Sequence, residues 1–212
     1  MLHSELIPAT EPKSTRLMIM LHGLGDNVDG YRWFPEAMRL PWLNYLLVNA
    51  PDEYYGGYSW FDLNTENIAP GVHRSRALLF ELLDAQRAKG FPTEQTTLGG
   101  FSQGCLMTME AGLHYPHKFA GLVGISGWVC NLKEVLQAVP PLARQQRILL
   151  THGTYDQVCS FGRTRRQFEE MQAAGFNIEW HEFAKPHTIA GEEELRVIRQ
   201  FVRAGYAEVV GQ

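Results

Sequence analysis

A sharp strand-to-helix turn is predicted at Leu98-Gly99-Gly100-Phe101-Ser102-Gln103-Gly104. The preceding residues have strand character and the following apolar run has helix character. A serine at such a turn is held in a strained backbone conformation, so the positions two before and two after it, Gly100 and Gly104, must be small. The turn would expose the Ser102 hydroxyl and place the Gln103 N–H at a helix N-terminus, where partial positive charge gathers. A glycine-rich turn that merely holds a serine gives the same pattern, so other parts of the chain must support the interpretation.

Short apolar runs alternate with amphipathic stretches along the chain. Apolar runs predict strands at residues 16–21, 44–49, 119–126 and 147–151. A short run with strand character predicts another at residues 95–98, and an alternating pattern predicts the last at residues 177–183. Helices are predicted at residues 31–40, 73–90, 103–115, 133–139, 163–174 and 191–205. This alternation implies right-handed crossovers and an α/β fold with a mostly parallel central sheet and helices on both faces. We expect one domain over residues 1–212, with residues 1–15 as a loosely held lead-in.

Composition excludes several classes of function. The chain has 212 residues, of which 45% are hydrophobic and 20% charged, and its net charge is −4. This charge gives no basic field for nucleic acid. We see neither a signal peptide nor an apolar run of membrane-spanning length, so we expect no stable membrane anchoring. Three widely spaced cysteines suggest neither a disulfide framework nor a metal site, which favours a reducing, cytoplasmic location.

A glycine-rich loop, His22-Gly23-Leu24-Gly25, follows the first predicted buried strand. In hydrolases with such a loop, one of its N–H groups is the second oxyanion donor, which by position is that of Leu24. A phosphate-cradling loop is the alternative, but Gly23, Gly25 and Gly30 do not have the spacing of a dinucleotide fingerprint. His22 fits a role in bracing the loop better than a role as base or metal ligand.

Candidate acid and base residues follow two later strands. Asp156 lies in His152-Gly153-Thr154-Tyr155-Asp156, and His187 follows the last strand. Together with Ser102 they occur in the order Ser, Asp, His, each just after a separate strand, where ligands bind in parallel sheets. Either residue could instead be an ordinary loop residue. Asp62 is the rival carboxylate, and His152 and His181 are the rival imidazoles, although both histidines suit packing better.

These residue types suit nucleophilic catalysis without a metal. A serine hydroxyl is a poor nucleophile at neutral pH and needs an adjacent base, a role that His187 would fill. Asp156 would fix the imidazole tautomer and stabilise the imidazolium. The N–H groups of Leu24 and Gln103 would bind the developing oxyanion.

An aromatic segment at residues 51–72 is the candidate substrate groove, because long loops in compact domains are often functional. We predict that Trp60 and Phe61 bind substrate, together with Trp128 after a later strand. The alternative is a hydrophobic cluster beneath the loop.

The combination of motifs resembles the phospholipase/carboxylesterase family, which includes the acyl-protein thioesterases and small bacterial carboxylesterases. The matching residues are Leu21-His22-Gly23-Leu24-Gly25-Asp26, Trp60-Phe61-Asp62, Gly100-Phe101-Ser102-Gln103-Gly104, His152-Gly153-x-x-Asp156 and His187. The resemblance implies a compact α/β-hydrolase with no large cap domain, no cofactor and a triad of Ser102, Asp156 and His187. The sequence departs from the family pattern at Cys105, where a further glycine is usual. It also departs at Gln157 and Cys159, which replace a proline and an apolar residue.

Our first hypothesis is a serine carboxylesterase that acts on a small-molecule ester or thioester through an acyl-enzyme. An acyl-thioesterase or lysophospholipase with the same triad is the alternative within this class. A non-catalytic ligand-binding protein on the same scaffold, and a nucleophilic or redox-sensing role for Cys105 or Cys159, are further alternatives. The sequence is compatible with a homodimer.

Overall fold

The computed structural model describes residues 1–207. Short 3-10 helices at Asp29–Tyr31, Thr93–Gln95 and Pro141–Gln145 join the main elements. The strands are β1 (Ser4–Ile7), β2 (Leu17–Leu21), β3 (Asn44–Val48), β4 (Asp52–Tyr54), β5 (Gly57–Ser59), β6 (Thr96–Phe101), β7 (Gly121–Ile125), β8 (Ile148–Gly153) and β9 (Ile178–Phe183). The helices are α1 (Phe34–Met38), α2 (Ala69–Ala88), α3 (Gln103–His114), α4 (Leu132–Ala138), α5 (Phe161–Ala173) and α6 (Gly191–Ala207).

Seven strands form one sheet in the order β1-β3-β2-β6-β7-β8-β9. Every neighbouring pair is parallel except β1 and β3, which are antiparallel. In β2, β3 and β7 every residue is buried, because helices cover both faces of a parallel sheet and leave no strand face for water. The predicted α/β fold with a mostly parallel sheet is confirmed.

The two faces of the sheet pack against different helices. Ile19 of β2 belongs to a core cluster with residues of α2, α3 and α5, whereas its neighbour Met20 belongs to a second cluster with residues of α1 and α6. This division follows from the period of two along a strand, which sends successive side chains to opposite faces. Among residues 1–207, none of the helices combines the length and the apolar character needed to cross a membrane.

The N-terminal segment is more ordered than we predicted from its prolines and polar residues. Ser4–Ile7 pairs antiparallel with β3, and the N–H of Asn49 donates to the carbonyl of His3 at 2.9 Å. The Leu2 side chain is buried. The prediction of a loosely held lead-in is therefore wrong for Ser4–Ile7. This segment forms strand β1, which pairs with β3 and covers the edge that β3 would otherwise expose. Its half-buried, partly polar side chains are those of an edge strand.

A small hairpin formed by β4 and β5 supports the loop after β2. The Gly25 N–H donates to the Tyr58 carbonyl, and the Tyr58 N–H donates to the Asp26 carbonyl, both at 2.9 Å. A Cβ at Gly57 would lie 2.1 Å from the Gly25 carbonyl oxygen, so only glycine permits this approach. The aromatic segment therefore contributes to the site by holding a neighbouring loop.

Candidate active site

Ser102 lies at a strained turn between β6 and α3. Its backbone angles are φ 56° and ψ −117°, a conformation that residues with a side chain rarely adopt. A Cβ at Gly100 would lie 2.2 Å from the Gly104 carbonyl oxygen, and a Cβ at Gly104 would lie 2.2 Å from the Leu21 carbonyl oxygen. Both glycines are thus required by backbone crowding, as the sequence predicted for a strand-to-helix turn.

The structure brings Ser102, His187 and Asp156 together. The Ser102 Oγ lies 2.9 Å from His187 Nε2, and His187 Nδ1 lies 2.7 Å from Asp156 Oδ2. Since a carboxylate only accepts, Nδ1 carries the proton and Nε2 is left to accept from the serine hydroxyl. The His187 ring also packs against Phe101, with ring centroids 4.7 Å apart. This arrangement can transfer a proton from the hydroxyl to the imidazole.

Asp156 is held in place by its own turn. Its Oδ1 accepts from the N–H groups of Val158 at 2.9 Å and Cys159 at 2.8 Å, and its side chain is fully buried. The ring of His152 lies behind it, with Nε2 2.9 Å from the Cys159 carbonyl and 3.5 Å from Asp156 Oδ2. Asp156 is therefore both a turn residue and the partner of His187, so our two interpretations of this residue do not exclude each other.

Two of the three rival side chains have other partners, and the third, His152, lies behind Asp156. Asp62 is exposed and accepts from the backbone and side chain of Asn64. His181, on β9, pairs with Glu179 at 2.7 Å. His152 is buried and stacks on Trp180, with an interplanar angle of 15°. Neither Asp62 nor His181 belongs to the hydrogen-bonded set around Ser102.

The loop after β2 lies beside the serine turn because β2 and β6 are paired in parallel, with Leu21 opposite Gly100. Leu24 and Gln103, the predicted oxyanion donors, line the same cavity as Ser102. His22 braces this loop, because its Nδ1 lies 2.6 Å from the Gly23 carbonyl and its Nε2 accepts from the Ala50 N–H at 3.0 Å. Burial lowers the pKa of His22, which favours the neutral ring that this pattern requires.

Trp60 and Phe61 do not occupy the predicted position in a substrate groove. They are 0% and 1% exposed and belong to the hydrophobic core. The Trp60 Nε1–H donates to the His22 carbonyl at 2.9 Å, so its indole supports the loop from below. The prediction that these two side chains line a substrate groove is wrong, because both are buried in the core. The alternative prediction, a hydrophobic cluster beneath the loop, describes their position. Large aromatic side chains next to glycine turns fill a core as readily as a groove.

The Gln103 side chain has a role that the sequence analysis missed. Its Oε1 accepts from the Trp60 N–H at 3.0 Å, and its Nε2 donates to the Phe61 carbonyl at 2.9 Å. It thereby fixes the start of α3 to the segment beneath the loop. Gln103 and the Trp60-Phe61 dipeptide are more than 40 residues apart in the sequence, and no sequence pattern indicated that they are in contact.

A cavity of about 650 Å³ opens above Ser102, a volume within the usual range for ligand sites. The predicted residue Trp128 lines it. Leu63, Ile68 and Val158 add apolar surface that the sequence analysis did not identify. Leu63 and Val158 are apolar residues between the predicted helices and strands, and this position in the sequence is the signal that could have indicated them.

The cysteines lie in unreactive surroundings. All three are free, and Cys105 and Cys159 are buried. Burial raises the pKa of the Cys105 thiol, and it raises the pKa of the Cys159 thiol to about 12. Since the thiolate is the nucleophile, these thiols are poor candidates for the reacting group beside an activated serine.

A serine, histidine and aspartate joined by hydrogen bonds at the carboxyl ends of parallel strands define a serine hydrolase of the α/β-hydrolase fold. A sequence profile of the family described as Phospholipase/Carboxylesterase matches residues 2–205, and the chain belongs to this family. It is accordingly an ester hydrolase.

Named relatives support this assignment. Acyl-protein thioesterase 1 of Schizosaccharomyces pombe is 35% identical over 68% of this chain and 70% of that protein. Acyl-protein thioesterase 1 of Yarrowia lipolytica is 30% identical over 95% of this chain and 96% of that protein. The crystal structure of esterase PE8 superposes with a TM-score of 0.83 at 25% identity, over 95% of this chain and 98% of that one.

Proposed function

We propose that this protein is a serine carboxylesterase whose triad is Ser102, His187 and Asp156. The observation that carries the proposal is the 2.9 Å contact between His187 Nε2 and Ser102 Oγ, with His187 Nδ1 engaged by Asp156. A serine beside an oriented base is the minimum required for nucleophilic attack on an acyl group.

Acylation begins when Ser102 Oγ attacks the substrate carbonyl carbon and its proton passes to His187 Nε2. The carbonyl oxygen becomes an oxyanion, which the N–H groups of Leu24 and Gln103 stabilise. Collapse of the tetrahedral intermediate breaks the bond to the leaving group, which takes the proton from Nε2 and departs as an alcohol or thiol. Asp156 stabilises the imidazolium throughout.

Deacylation repeats these steps with water. The imidazole of His187 takes a proton from a water molecule as its oxygen attacks the acyl-enzyme. The second tetrahedral intermediate then expels Ser102 Oγ, which recovers its proton from Nε2. The products are the carboxylic acid and the free enzyme, so the cycle needs no cofactor.

The acyl group occupies the cavity above Ser102. Its lining by Trp128, Leu63, Ile68 and Val158 supports an apolar acyl chain in a small-molecule ester or thioester. Thioester hydrolysis by the same triad is the second candidate, and it is favoured by the two relatives named acyl-protein thioesterase. A lysophospholipase reaction would use the same steps with a larger leaving group. A cytoplasmic location is part of the proposal and is supported by the three free cysteines.

The decisive experiment compares the wild-type protein with Ser102→Ala. Wild type should hydrolyse 4-nitrophenyl acetate and should gain the mass of a phosphonyl group when treated with a fluorophosphonate, with loss of fluoride. Ser102→Ala should do neither while keeping its circular dichroism spectrum. An unlabelled, inactive wild type would instead support a binding module. Paired oxygen esters and thioesters of increasing chain length then separate the candidate substrates.

A further inference from the structure

A buried ion pair lies directly behind the loop that carries His187. Lys185 Nζ is 2.6 Å from Glu194 Oε1, and the two side chains are 3% and 0% exposed. Burial lowers the pKa of Lys185, and the neighbouring Glu194 opposes that shift. Removing two charges from water is so costly that such pairs are often no more stabilising than apolar residues of the same size. The pair therefore calls for an explanation other than stability.

The two side chains hold the backbone of the histidine loop on either side of Ile189. Lys185 Nζ donates to the Thr188 carbonyl at 2.7 Å. The Ala190 N–H donates to the other carboxylate oxygen of Glu194. These contacts fix the chain immediately after His187, where Thr188 is exposed and Ile189 and Ala190 are half-buried.

The same lysine also connects to the loop that carries Asp156. Its carbonyl accepts from the Tyr155 N–H at 3.1 Å. A Cβ at Gly153 would lie 2.3 Å from that carbonyl oxygen, so glycine permits the two loops to meet here. Glu194 lies in the first turn of α6, which is anchored to the sheet by buried residues such as Ile198. Lys185 thus links the aspartate loop, the histidine loop and a fixed helix.

We propose that Lys185 and Glu194 are positioning residues that hold the His187 ring between Ser102 and Asp156. The inference rests on the proposed function, since it assigns these residues a purpose in that reaction. Neither side chain is part of the hydrogen-bonded triad. Their effect is on geometry, where a misplacement of about 1 Å can lower turnover by about 10²-fold.

The test replaces the pair by apolar residues of similar size, as Lys185→Met with Glu194→Leu. Such a replacement of a buried pair is commonly neutral or stabilising. We expect an unchanged or higher melting temperature, an unchanged KM for 4-nitrophenyl acetate, and a kcat lowered by about 10- to 100-fold. A structural role alone would lower the melting temperature and leave kcat per folded molecule intact.

Two further variants complete the design. Arg165→Met with Glu169→Leu removes an exposed ion pair on α5, in which both side chains are about half exposed, and should leave kcat unchanged. Glu194→Asp keeps the charge but shortens the side chain, so that it cannot reach both Lys185 and Ala190. It should fold and should show lowered kcat, which tests the proposal even if the double apolar variant does not fold.

Proton NMR supplies a readout that does not depend on turnover. The Nδ1–H of His187, hydrogen-bonded to Asp156, should give a far-downfield resonance in wild type and in the α5 control, but a weakened or missing one in the Lys185 and Glu194 variants. Folded variants with normal kcat and an intact resonance would overturn the proposal. If wild type hydrolyses no ester, the proposed function fails while the resonance still reports on positioning.

Discussion

The Asp156 carboxylate divides its two oxygens between two tasks: Oδ2 lies 2.7 Å from His187 Nδ1, while Oδ1 accepts the N–H groups of its own turn. The aspartate is therefore oriented before the substrate arrives. This orientation selects one tautomer of the imidazole, the one in which Nε2 can accept the serine proton.

Asp156→Asn should lower kcat by about 10⁴-fold with little change in fold, because an amide group can donate to Nδ1 and stabilise the wrong tautomer. The measurement is steady-state hydrolysis of 4-nitrophenyl acetate. Asp62→Asn is the matched control and should retain wild-type kcat, since the hydrogen bonds of Asp62 within residues 1–207 are to its own turn. An equal loss of kcat in the two variants would show that Asp156 is not the residue that orients His187.

Gly104→Ala should destabilise the fold by about 1–3 kcal/mol or more, because the new methyl group meets backbone that cannot move aside. The clash is with the carbonyls of Leu21 and His22, at 2.2 and 2.7 Å. Gly162→Ala, in α5, is the control: its methyl group would meet nothing within 4 Å and should be neutral or stabilising. Urea unfolding measures the stability of both variants, and a neutral Gly104→Ala would contradict the close approach of Gly104 to the Leu21 carbonyl.

Trp128→Ala should raise KM for octanoyl esters by about tenfold while leaving acetyl esters nearly unaffected, because only a long acyl chain reaches the lost indole surface. Trp42→Ala is the control. Trp42 packs against Tyr206 with ring centroids 5.2 Å apart, so its loss should reduce stability without changing chain-length preference. A Trp128 variant that affects both chain lengths equally would place the acyl group elsewhere.

Stability should fall as the pH decreases below about 6.5, the usual pKa of histidine. Burial lowers the pKa of His22, His114 and His152 in the folded protein. Above that pH these rings are neutral in both states. Below it the unfolded chain takes up protons that the folded protein does not, so each ring removes up to about 1.4 kcal/mol per pH unit until its folded pKa is reached.

The contribution of His22 can be isolated with His22→Gln. Urea unfolding at about pH 7.5 and about pH 5.5, on either side of the usual histidine pKa, should show a smaller loss of stability in the variant than in wild type. Burial raises the pKa of Glu110, which acts in the opposite direction, so the difference between variant and wild type is the informative quantity. Identical losses would mean that His22 is protonated in the folded state.

Maleimide treatment near neutral pH should leave esterase activity intact. Burial raises the pKa of the Cys159 thiol to about 12, and it raises the pKa of the half-buried Cys130 thiol to about 11. The thiolate fraction is then very small, and modification should be slow. Intact mass and residual activity are measured together. If activity falls in proportion to the fraction of protein that carries one maleimide group, a cysteine nucleophile would be supported instead.

Strands β2, β3, β7 and β8 were predictable because each is largely an apolar run that ends near glycine, proline or a polar turn, and β9 was predictable because its residues alternate. β1 was not, since an edge strand needs only partial burial and Ser4–Ile7 has a mixed pattern. The β4–β5 hairpin was missed for a related reason: its three-residue strands form against the loop at Gly25 rather than from their own periodicity.

The triad was predictable because each member follows a separate parallel strand, and those strand ends must meet at one edge of the sheet. The roles of Trp60 and Phe61 were not, because composition cannot distinguish an aromatic side chain that lines a cavity from one beneath it. The buried ion pair of Lys185 and Glu194 could not be predicted either, because two charged residues near the start of a helix normally indicate a solvated surface.

The order of the strands has a consequence for protein synthesis. Ser102 leaves the central strand β6, whereas His187 follows the edge strand β9 and depends on α6 for its anchorage. The contact between Ser102 and His187 joins residues 85 positions apart, so it can form only after the edge strand has been synthesised. A nascent chain that still lacks β9 and α6 therefore also lacks the hydrogen-bonding partner of Ser102.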